Sequence, residues 1–155
     1  MQFYFGCNLN LLFQNLNNRF MKLVISTIVT AILFFLLGWL FYGIIFAGHL
    51  ASMQHMMRPD TDLKMWSIML GSLFQGLMLS VIYMRTYKGE SPIKEGFIFG
   101  ILTGFLLALP YVFYVWGSYQ VRYRAVIADG AGMGIRILIA GILIGLIFGK
   151  KKPTA

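Results

Sequence analysis

"VIADGAGMGIRILIAGILIGLIFG", residues 126–149, supports two incompatible folds. Its opening, a short apolar run followed by glycines at 130, 132 and 134, has the look of a turn that cradles a dinucleotide pyrophosphate. Such a turn needs G-x-G-x-x-G between a strand and a helix in a soluble βαβ unit, and the spacing here is G-x-G-x-G. The remainder stays apolar to Phe148. At about 1.5 Å per residue, 126–148 is long enough to cross a hydrocarbon core of about 30 Å as one helix. The rest of the chain decides for the membrane.

Of 155 residues, 59% are hydrophobic and only 12% charged, with a mean hydropathy of +0.76. Soluble domains carry about 25% charged residues, and a chain this short could not bury so much apolar surface. Three further apolar runs, 23–46, 65–84 and 96–116, have membrane-spanning length. The fold class expected is therefore all-α: an integral membrane four-helix bundle of two short-looped hairpins within a domain at 21–152, with 153–155 as a tail. The run after Lys22 is too long for the h-region of a removable signal peptide, about 7 to 15 residues. The polar, Asn-rich leader 1–20 lacks the continuity of a span, and Met21 makes an ordinary start, so the leader is expected to lie outside the native protein. The competing reading is an interfacial amphipathic segment using Phe3, Tyr4, Phe5, Leu12 and Phe13. The single cysteine, Cys7, excludes an intrachain disulfide and a cysteine metal cage.

The formal net charge of +8 is explained by orientation. Arg19, Lys22, Arg85, Lys88, Lys94 and Lys150 to Lys152 fall on one side of the spans; Arg58, Lys64, Arg122 and Arg124 fall on the other. By the positive-inside rule both termini are expected to be cytoplasmic, and nucleic acid is not an expected partner. Trp66, Trp116, Tyr119 and Tyr123 mark an outer aromatic belt, and Tyr83 and Tyr87 an inner one.

Gly96, Gly100 and Gly104 open the third span at four-residue spacing, and Gly141, Gly145 and Gly149 close the fourth; Gly134 begins the latter's small-residue stripe. Each row lies on one helix face and allows close backbone approach, and orientation puts both rows at the same depth. A tight hairpin of spans three and four is expected, with a dimer contact as the alternative use of either row.

Arg136 is the only charged residue deep in a span, seven positions after Asp129 and on nearly the same face. Asp129 is placed near the start of its helix, where its charge favours the dipole. A charge at mid-bilayer costs roughly 2.5 to 3.5 kcal/mol on insertion scales, which marks it as a functional candidate. Arg136 is expected about 10 Å below Asp129, in the outer third, from where it can snorkel outward or pair with Asp129. The other reading is an anion or lipid-headgroup site at Asp129 and Arg136, with Gln75 of span two as a hydrogen-bonding neighbour. The outer loop gathers His49, Met53, His55, Met56 and Met57 with Asp60 and Asp62. Imidazole and thioether suit Cu(I), so a weak copper site is one reading and plain packing the other. No HExxH, GxSxG or Cys-His arrangement occurs, so neither an enzyme nor a cofactor is expected. Pro110 interrupts the third span, and "FLLGWLFYG" at 35–43 echoes "FLLALPYVFY" at 105–114 in a chain apolar enough to produce such a match by chance.

The segment "LLGWLFYGIIFAG" at 36–48, the polar outer loop, the glycine-spaced third span and the quoted fourth span resemble a family of small four-span bacterial inner-membrane proteins whose shared domain has no assigned activity. Its Gly-x-x-Trp-Tyr-like signature departs here to Gly38-Trp39-Leu40-Phe41-Tyr42. The resemblance covers about 21–149 and implies fold and membrane location without a reaction. The function expected is a non-enzymatic membrane protein acting by helix–helix association, as a homo-oligomer or with a membrane-protein partner in the lipid bilayer. The alternative is a transporter or channel component for a small solute, with a dimer lining the path.

Overall fold

The computed structural model describes residues 3–45, 48, 53, 58–89 and 91–149, with 3–16 described by backbone alone. The chain is all-helical, with no strand among the described residues. Helix α1 runs Phe3–Leu40 and continues as a π-helical turn at Phe41–Ile45. A 3₁₀ turn at Asp60–Asp62 precedes α2, Met65–Thr86; α3 is Pro92–Ser118 and α4 is Tyr123–Phe148. Four stretches, Asn17–Ile45, Met65–Thr86, Pro92–Ser118 and Tyr123–Phe148, are long and apolar enough to cross a bilayer, which makes this a multi-pass membrane protein.

The first span is longer than the apolar run alone implies, because nothing stops the helix behind it. No glycine or proline occurs between Cys7 and Leu37, and the intervening leucines, glutamine and asparagines leave the helix unbroken back to Phe3. The α2–α3 connection is a turn at Gly89, whose φ of +88° lies where only glycine is unstrained. Ser91 then takes the N-cap position with Pro92 starting the helix, and Glu95 in the first turn accepts the Lys88 backbone N–H at 2.8 Å.

Helix α4 is the hub: 39% of its most apolar window is buried inside the protein, against 17% for α2 and for α3. Its most extensive partner is α3, while α1 packs on both α2 and α4. The α3–α4 contact is backbone on backbone. A Cβ at Gly96 would stand 2.5 Å from the Gly141 carbonyl oxygen, and one at Gly100 would stand 2.9 Å from the Leu138 Cα. One at Gly141 would come within 2.7 Å of the Gly100 Cα. A Cβ at Gly145 would run into the Pro92 carbonyl, and one at Gly149 into the Pro92 ring. Gly134 presents its carbonyl 3.3 Å from the Cβ position of Gly104. Close packing of this kind is what joins helices in lipid, where apolar burial offers no drive to associate. On the other side, Gly76 of α2 fits against α1, its Cβ position 2.8 Å from the Thr27 carbonyl oxygen.

Between α1, α2 and α4 lies a core of Phe34, Leu79, Tyr83, Ile137, Ala140, Ile144 and Phe148. Tyr83 is 1% exposed, stacked on Tyr87 and edge-on to Phe99, so it is a core residue rather than a member of an interfacial belt. Lys22 closes the same end, donating from Nζ to the Phe148 carbonyl at 3.1 Å, a cation on the last free carbonyls of α4.

Candidate functional site: a tyrosine-bridged pair of charges

Four polar side chains from three helices meet at the other end of the bundle. Asp129 of α4 is 5% exposed, so its carboxylate needs partners. It receives the Tyr42 hydroxyl on Oδ1 at 2.5 Å and the Tyr111 hydroxyl on Oδ2. Arg136 donates from Nη2 to the Tyr42 hydroxyl oxygen at 3.1 Å and from Nε to the Gly132 carbonyl at 3.2 Å. The guanidinium carbon lies 5.1 Å from the centre of the Tyr42 ring, a cation–π distance. Tyr42 therefore accepts from the cation and donates to the anion.

The backbone around the cluster is built to allow these contacts. Tyr42 rides on the π-helical turn Phe41–Ile45, a geometry that often accompanies functional positions. Tyr111 follows Pro110, which removes one backbone bond from α3 without ending it. The glycines of the quoted stretch have separate tasks: a Cβ at Gly130 would collide with Val112, the neighbour of Tyr111, and Gly132 supplies the carbonyl that takes Arg136. Gly38 faces Arg136, its Cβ position 3.6 Å from Nη1. Gly130, Gly132 and Gly134 form no phosphate turn, since all three lie inside α4.

Several sequence expectations change here. Asp129 and Arg136 share a face of α4 but form no direct ion pair; the only one among the described residues is Arg58 with Asp62, at 3.0 Å. Asp129 is the seventh residue of α4, beyond the first turn where the helix dipole acts, and its partners are the two phenols. Arg136 is the fourteenth of the 26 residues of α4. Its side chain leans toward the helix N-terminus, as helical side chains do, and ends at Tyr42. Gln75 is partly buried on α2 and is not among the residues these hydrogen bonds join. Tyr42 and Tyr111 are the partners missed from sequence; each lies in one of the two "FLL" segments that echo one another.

Of the residues offered as copper ligands, His49, His55, Met56 and Met57 lie outside the described residues. Met53 is 4% exposed and packs against Ala125, Val115 and Val121. Among the described residues no three His, Cys, Asp or Glu side chains gather as a metal site.

A second polar feature lies along α1. Lys22, Ser26, Thr30, Phe34, Gly38 and Tyr42 recur every fourth residue and so form a row that winds around α1 by about 40° per step, from the Phe148 end of α4 to the Asp129 end. Ser26 bonds to the Leu23 carbonyl at 3.0 Å. The hydroxyls of Thr27, Thr30, Ser80 and Tyr83 are buried without a hydrogen-bond partner. Phe34, 4% exposed, is the one bulky apolar residue in that row.

Comparison of the chain with family models, with curated proteins and with solved structures found no match.

Proposed function

We propose that the protein is a non-enzymatic component of a bacterial inner membrane, with both termini cytoplasmic, that acts through helix–helix association with a second copy or another membrane protein. The observation that carries this is the openness of the bundle. Helices α2 and α3 each bury 17% of their most apolar window and leave whole faces outward, while Asp129 and Arg136 both bond to Tyr42 between the helices. Basic residues at the Lys22 end outnumber those at the Asp129 end, which supports the orientation. The resemblance to small four-span membrane proteins supports the location. The test is particle mass in nanodiscs extracted directly from the native membrane. Particles holding more than one 17.6 kDa chain, or one chain with a stoichiometric second protein, are expected; particles holding one chain alone would overturn association.

A second reading, a transporter or channel component for a small solute, draws on the polar row of α1 from Lys22 to Tyr42 with Phe34 as its apolar interruption. Solute or ion flux into vesicles that rises on Phe34→Ala would favour it. Equal flux in empty vesicles would remove it.

A further inference from the structure

We infer that Arg136 is the receptor of a phosphate oxyanion that enters from the Asp129 end of the bundle. A guanidinium has five N–H donors. Two are used, Nε on the Gly132 carbonyl and one N–H of Nη2 on the Tyr42 hydroxyl; among the described residues no acceptor takes the other three. Two of those three are on Nη1 and one on Nη2, so each terminal nitrogen keeps a donor for an oxygen of phosphate or carboxylate.

The obvious internal anion is already committed. Both oxygens of Asp129 are occupied by phenols, and Asp129 makes no ion pair with Arg136. An arginine within a span that has three unmatched donors is unfavourable in a bilayer, and such residues characteristically find a partner. Gly38 faces the guanidinium: an added Cβ would sit 3.6 Å from Nη1, in ordinary contact, so a longer side chain there would press on the nitrogen that the oxyanion needs. Basic groups between membrane helices take lipid head groups by this chemistry. Phosphate is chosen over carboxylate because bilayer lipids carry it at the surface toward which the Arg136 side chain leans.

The source is either a phospholipid or free phosphate, and the experiment separates them. It rests on the membrane placement of the bundle and not on its association, so a monomer in the mass measurement leaves it standing. The full chain is reconstituted in nanodiscs of phosphatidylcholine containing phosphatidylglycerol, then released and weighed by native mass spectrometry. In parallel, the delipidated chain in a neutral detergent is titrated with inorganic phosphate by calorimetry. Wild type, Arg136→Gln and Gly38→Leu are compared, each with its thermal unfolding.

Retention of phospholipid by wild type that falls at least five-fold in both variants identifies the lipid phosphate. Heats with inorganic phosphate that both variants lose, without retained lipid, identify the free anion. Should either variant not fold, Arg136→Lys decides: it keeps the charge and loses the planar fork, so the same five-fold fall is expected and equal binding overturns the inference. Equal binding by wild type and Gly38→Leu, or no binding by wild type in either arm, overturns the inference.

Discussion

Tyr42 and Asp129, 87 residues apart in the chain, are joined by a 2.5 Å bond from phenol to carboxylate, and the same phenol oxygen accepts from Arg136 at 3.1 Å. One hydroxyl therefore mediates between the two charges of α4, whereas the Tyr111 hydroxyl serves Asp129 alone. Hydrogen bonds to charged groups contribute roughly 1.5–3 kcal/mol each. Tyr42→Phe, which deletes both contacts, is expected to cost about 2–3 kcal/mol in reversible unfolding from mixed micelles. Tyr111→Phe should cost about half as much. The reverse order would show that Tyr42 does not hold the cluster.

The coupling between the charges should pass through that phenol. With no direct ion pair, a double-mutant cycle of Asp129→Asn and Arg136→Gln is expected to give an interaction of about 1 kcal/mol in wild type. It should fall to within the usual error of additivity, about 0.3–0.5 kcal/mol, in the Tyr42→Phe background. A coupling that survives the loss of the hydroxyl would mean the charges interact directly.

The four spans are legible in the sequence because crossing a bilayer leaves a signal of length and apolarity that needs no tertiary information. The shared face of Asp129 and Arg136 is legible too, since seven residues make nearly two turns. Their partners are not. Tyr42 and Tyr111 sit in apolar runs where an aromatic ring reads as packing, and only the meeting of α1, α3 and α4 turns their hydroxyls onto one carboxylate. Tyr83 shows the same blindness in reverse: its position near a helix end suggests an interface, yet the packing of Phe99 and Phe148 around it makes it core. The start of α1 is extended for a related reason, because a polar segment free of proline follows the helix it adjoins.

Glycines in this chain should divide by what faces them. At Gly96 and Gly141 a Cβ would come within 2.5 and 2.6 Å of a carbonyl oxygen of the opposite helix, so neither neighbour can give way. Gly96→Ala and Gly141→Ala are each expected to destabilise by about 1–3 kcal/mol through overpacking. Gly71 and Gly117 have no atom within 4 Å of the Cβ position, and Gly71→Ala, inside α2, should be neutral or stabilising by up to about 1 kcal/mol. Thermal unfolding of the three variants in one detergent checks the division; a loss at Gly71 equal to that at Gly96 would refute it.

The unpartnered hydroxyls allow a prediction of sign. Thr30 and Ser80 are both 0% exposed, and neither hydroxyl has a hydrogen-bond partner. Each therefore carries the desolvation cost of a buried polar group, about 1–3 kcal/mol, with nothing to offset it. Replacing such a hydroxyl by an apolar group of similar shape removes the cost, so Thr30→Val and Ser80→Ala are expected to raise stability, by about 1 kcal/mol each. Thr27→Val, 7% exposed at the margin of the same interface, should gain less. The measurement is the unfolding midpoint of each single variant and of the Thr30→Val, Ser80→Ala pair. Destabilisation would mean that the hydroxyls are bonded through internal water, since a buried water bridging two to four polar groups is costly to strip of its partners. Along the row that runs from Lys22 to Tyr42, that outcome would turn a packed helix contact into a hydrated one and shift the balance toward the solute-path reading.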